Sequence, residues 1–111
     1  MAYDEDLAER VRSVMTERFD ERKMFGGLAF MIGGNMACGV VRDELMVRVG
    51  PDDYPQALAR PHAREMTFTG RSMNGMVFVG PGGLADKRSL AAWVKRGVAY
   101  ASSLPPKKPK T

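Results

Sequence analysis

A chain of 111 residues with 44% apolar side chains can build one hydrophobic core and has too little length for two comfortable ones. This composition excludes a disordered chain, and no apolar run approaches the ~20 residues of a membrane-spanning helix. Most of the net charge of +4 comes from three lysines near the C-terminus, so the body is close to neutral and lacks the basic surplus of a nucleic-acid-binding domain.

The first residues are acidic, without the basic start or apolar core of a secretion signal. The single cysteine, Cys38, allows no internal disulfide. A reducing compartment, the cytoplasm, is therefore expected.

Residues 4–19 read as a helix. Asp4 is the candidate N-cap, and Leu7, Val11, Val14, Met15 and Phe19 recur at spacings of three and four. Arg22 and Lys23 follow, where cations favour a helix end. Met24, Phe25, Gly26 and Gly27 come next. A double glycine can cradle phosphate, but these glycines lead into a strand and match no phosphate-loop spacing. They read as a bend or bulge at a strand start, with Phe25 as a core anchor.

Three short strands follow, about 28–32, 36–42 and 45–49, joined by turns at 33–35 and 43–44. Leu28, Phe30 and Ile32 share one face, with Ala29 and Met31 on the other. Met46 and Arg48 likewise oppose Leu45, Val47 and Val49. Arg48 reads either as a solvent-facing edge arginine or as a contact for a carboxylate or other anion. A short helix is expected at 52–59, capped by Asp52. His62, the one histidine, falls in an exposed turn after it. A fourth strand at 65–69 and a fifth at 76–79 flank a connection in which Asn74-Gly75 signals a tight turn. Gly80-Pro81-Gly82-Gly83 breaks the chain, and a last helix runs from 86 or 87 to 101. Trp93 in that helix reads as a packing anchor. Pro105 onwards cannot continue a helix, so residues 105–111 are expected to form a disordered basic tail behind a domain at 1–104.

The order α-β3-α-β2-α groups strands in blocks. This argues for an α+β domain in two layers, an antiparallel sheet with helices largely on one side.

Three clusters now resemble a known family: Met24 to Phe30, then Asn35-Met36 with Cys38-Gly39-Val40, then Leu45 to Gly50. Gly70 to Met76 and the Trp93 helix through Lys107 are similar as well. Together they resemble the TfoX N-terminal domain over nearly the whole chain. The resemblance implies the element order read above and a place in regulators of competence genes, where this domain precedes a second one. It implies no catalytic residues and no cofactor.

The residues point the same way. Nucleophilic catalysis needs a base beside a hydroxyl or thiol, and His62 lies far along the chain from Cys38. There is no His/Cys cluster for a metal. A non-catalytic regulatory or protein-interaction module is expected. Its contact surface would be a sheet face left open by one helix layer or the open edge of a strand, with Met31, Met46 and Arg48 as candidates and a homodimer as one outcome. The alternative is weak nucleic-acid binding through Lys87, Arg88, Lys95 and Arg96 of the last helix with Lys107, Lys108 and Lys110 of the tail.

Overall fold

A computed structural model describes residues 3–24, 26–68 and 71–105. Asp4 caps helix α1, Glu5–Val14, its carboxylate accepting the Leu7 N–H at 3.2 Å. Leu7, Ala8 and Val11 form its buried stripe. The helix stops five residues earlier than its apolar spacing suggested, because Met15 is already extended. The chain then enters a strand that the sequence reading missed, β1, Asp20–Met24. Arg22 and Lys23 belong to this strand and do not end the helix. Its sequence, DERKM, has no apolar alternation to betray it. As an edge strand it needs none, since pairing with β2 holds it and charge protects the open edge.

Strands β2, Gly27–Ile32, β3, Asn35–Val41, and β4, Glu44–Arg48, form the expected meander. Gly26 turns the β1–β2 hairpin at φ +72°. Gly27 is needed for a different reason: a Cβ there would stand 2.2 Å from the Val40 carbonyl oxygen. Phe25 lies outside the described residues. Helix α2 spans Tyr54–Leu58, and its cap position is Asp53, not Asp52.

Strands β5, Ala63–Phe68, and β6, Arg71–Val79, complete one antiparallel sheet in the order β1-β2-β3-β4-β6-β5. Asn74-Gly75 is not the turn between them. Gly75 lies inside β6 at φ +91°, and its carbonyl accepts from Val49 N–H at 2.8 Å and Gly50 N–H at 3.1 Å. The glycine thus bends a long strand where two donors of the chain leaving β4 converge. The expected order gains one strand and becomes α-β4-α-β2-α, with a 3-10 turn, Pro81–Leu84, before helix α3, Lys87–Ser103.

Helices α1 and α3 cover one face of the sheet. Phe30, Cys38, Val40, Leu45, Val47 and Val77 meet Leu90, Trp93 and Val94 there. The opposite face is also apolar, but two residues expected to be exposed on it are not. Met46 is fully buried and Met31 nearly so. Met46 packs over Gly39, where a Cβ would lie 2.7 Å from its Cε, and clusters with Met76, Met36, Val41 and Phe78. These two methionines are therefore core, and the exposed patch assigned to them is absent. Among the described residues no helix is long and apolar enough to cross a membrane.

Candidate functional site

The loop between α2 and β5 carries Arg60, Pro61 and His62. His62 takes the left-handed conformation at φ +69°, unusual for a residue with a side chain. Its carbonyl accepts the Gly80 N–H at 2.9 Å, which ties the loop to the start of the 3-10 turn. The imidazole lies over Gly82 and Gly83. A Cβ on Gly82 would stand 2.6 Å from its Cε1. The glycines read as chain breakers are thus the seat of the histidine.

Opposite this loop, α3 begins with Asp86 as N-cap. The Asp86 carboxylate accepts the Ser89 N–H at 3.2 Å and the Ser89 hydroxyl at 2.8 Å. These bonds hold its carboxyl below the usual carboxylate range. Two turns further on, Arg96 Nη1 donates to Asp53 at 2.7 Å, and the guanidinium carbon lies 5.3 Å from the centre of the Trp93 ring. Asp53 serves as this counter-ion instead of capping α2 with its side chain.

These parts enclose a cleft of about 350 Å³ lined by Arg60, His62, Ser89, Trp93 and Arg96, with Gly82 and Gly83 as its floor. Among the described residues no carboxylate lines it directly, though Asp86 bonds its Ser89 and Asp53 its Arg96. His62 and Ser89 share the cleft, yet no hydrogen bond joins them among the described residues. The acid present, Asp86, engages the serine and not the histidine.

The structure sorts the candidate residues. Trp93 is buried, as a packing anchor should be. Arg48 is half-buried, and its guanidinium carbon lies 5.3 Å from the Tyr100 ring centre, with no carboxylate partner among the described residues. Of the four helix cations, Arg88 and Lys95 are exposed two turns apart on the outward face of α3. Arg96 is engaged with Asp53, and Lys87 lies on the other flank beside Arg10 and Ser13. The four do not form one surface. Lys107, Lys108 and Lys110 lie outside the described residues. Cys38 is buried under the helices, and burial pushes its thiol up to about 12. Among the described residues no group of His, Cys, Asp and Glu side chains could hold a metal ion.

Sequence reasoning missed Arg60, Ser89 and Asp53. Asp86 and Ser89 stand three apart at a helix start, a capping signal legible in the chain. Arg60 and Asp53 carried none, because only folding brings them to α3.

The family model of the TfoX N-terminal domain matches residues 10–101, nearly all of the folded body described here. The chain belongs to the TfoX N-terminal domain family. The matched span includes every cleft residue of this TfoX N-terminal domain. No curated protein and no solved structure matched the chain.

Proposed function

We propose that this TfoX N-terminal domain is a non-catalytic, competence-regulator-like module that works by surface contact with a partner protein in the reducing cytoplasm. The observation behind this reading is how the cleft's Ser89 is paired. Catalysis by Ser89 would need a base to take its proton and a third group to orient that base. Here the hydroxyl proton points to Asp86, whose carboxyl is held below the ordinary range and serves to cap α3. His62 is seated on glycines in a cleft it shares with Arg60 and Arg96, with no acid to orient it among the described residues. Cys38, the other nucleophile type, is buried as a neutral thiol. What α3 and the facing loop offer is exposed positive charge at Arg88, Lys95 and Arg60, in no ion pair among the described residues and fit for an acidic partner surface.

Affinity capture with the wild-type chain and with an Arg88→Glu/Lys95→Glu variant tests the reading. The wild type should retain a protein that the variant loses. A saturable ester or phosphoester hydrolysis that disappears in Ser89→Ala would overturn it.

Weak nucleic-acid binding is favoured by the same exposed pair, Arg88 and Lys95. Two phosphate contacts predict a shallow salt dependence. A gel shift at low salt, with and without those two charges, separates this reading from the first.

A further inference from the structure

The cleft beside α3 is built in a way that mere surface charge is not. Asp53 fixes one end of the Arg96 guanidinium and Trp93 lies against it, leaving the side chain 25% exposed. A guanidinium carries five N–H donors in a planar fork. Asp53 takes only Nη1, and among the described residues no acceptor takes Nε or Nη2. Asp53 lines an adjoining shallow groove that shares Ala92 and Arg96 with the cleft, and it orients Arg96 from that side. Arg60 enters from the opposite wall with no acceptor among the described residues. His62 lines the same cleft in a left-handed backbone conformation, on glycines that leave its ring just enough room. Strained backbone of this kind persists where the surroundings enforce it, and it gathers at ligand sites.

We infer that this cleft binds a small phosphate-bearing anion. Two planar guanidinium forks lining one cleft suit the tetrahedral, multiply charged oxygens of a phosphate, and the two carboxylates nearest them are spent, Asp86 on Ser89 and Asp53 on Arg96. At about 350 Å³ the space is at the small end of ligand pockets, so it takes a metabolite-sized molecule and not a polymer. Arg96 and Arg60 bind the phosphate oxygens, and the His62 imidazole adds a donor at the rim. The inference deepens the contact-module reading by giving the same flank of α3 a small effector. It rests on that reading in treating His62 and Ser89 as binding groups.

Calorimetric titration of the full chain with inorganic phosphate and with a sugar phosphate, each followed by phosphorus NMR of the recovered probe, tests it. Saturable binding is expected at millimolar or lower concentration, with the probe recovered intact. Arg96→Gln and Arg60→Gln should each weaken it about tenfold or more. Arg22→Gln, on the far edge strand, should leave it unchanged. Should Arg96→Gln fail to fold, the exposed Arg60 decides. Tighter binding of the sugar phosphate assigns the site to a monoester, and equal binding assigns it to the free ion. No saturable binding of either probe, or binding indifferent to Arg60→Gln, overturns the inference and leaves the non-catalytic reading standing. A hydrolysed sugar phosphate supports the site and overturns that reading instead.

Discussion

Cys38 stands in the middle of the sheet, in register with Phe30 on one side and Val47 on the other. Burial disfavours its thiolate and moves the thiol up to about 12. In the unfolded chain the thiol ionises near its ordinary value of about 8.5. The stability it contributes is therefore fully present below that value and is lost as the pH rises towards 12. At pH 8 a thiol-alkylating reagent should modify the native protein far more slowly than the denatured one. Comparable rates would show that the sheet opens locally.

The seat of His62 is equally specific. Gly82→Ala places a methyl group where the imidazole lies, 2.6 Å from Cε1, with no change of charge. The expected result is a displaced His62 ring, read by its NMR signals, and weaker phosphate binding with little loss of fold.

At the scale of elements, α3 is held close to the sheet by what it lacks. Gly97→Ala in an exposed helix would stabilise by about 1 kcal/mol. Here the new Cβ would stand 2.2 Å from the Ala37 carbonyl oxygen, so the helix would have to lift off β3. A loss of about 1–3 kcal/mol is expected, visible as a lower Tm. A raised Tm would show that α3 rides further from the sheet than described.

The missed edge strand has its own test. The Arg12 guanidinium donates to both oxygens of Glu21, Nε at 2.5 Å and Nη2 at 2.9 Å, joining the end of α1 to β1. The arginine holds the Glu21 carboxyl below its ordinary value of about 4.3. The stability from this pair is present above that value and is lost as the pH falls through the lower folded one. Glu21→Gln should thus cost up to about 1 kcal/mol at pH 7 and nothing at pH 2, by denaturant titration at each pH.

On the scale of the whole molecule, one cluster joins α1, α2 and α3 to the same face of the sheet, with Trp93 inside it. Unfolding should be a single transition, so that Trp93 fluorescence and far-UV circular dichroism melt together. Separate melts would divide the chain into two units. The N-terminus is tied into this whole by the Asp4 N–H, which donates to the Arg42 carbonyl at 2.7 Å. Asn35 does the same near the other end. It was read as part of a turn, but it is buried at the start of β3, its side-chain amide donating to the Pro105 carbonyl at 3.0 Å.

Periodicity alone determined much of this protein. The alternation in residues 28–49 specified the central meander and its core face, the stripe through Trp93 specified α3, and the blocks of strands specified an α+β fold. Such signals are legible because burying one face of a helix or strand demands a matching apolar repeat. Only the tertiary structure decided the rest. An edge strand held by neighbouring backbone needs no repeat, and β1 has none. A glycine says that a side chain is excluded without saying whether by a turn, as at Gly26, or by the ring of a distant histidine, as at Gly82. Residues of a second apolar face look exposed in one dimension and prove buried among their neighbours in three, as with Met31 and Met46. The cleft belongs to this second class, because attraction between Arg96 and Asp53, 43 residues apart, leaves no trace until folding makes them neighbours.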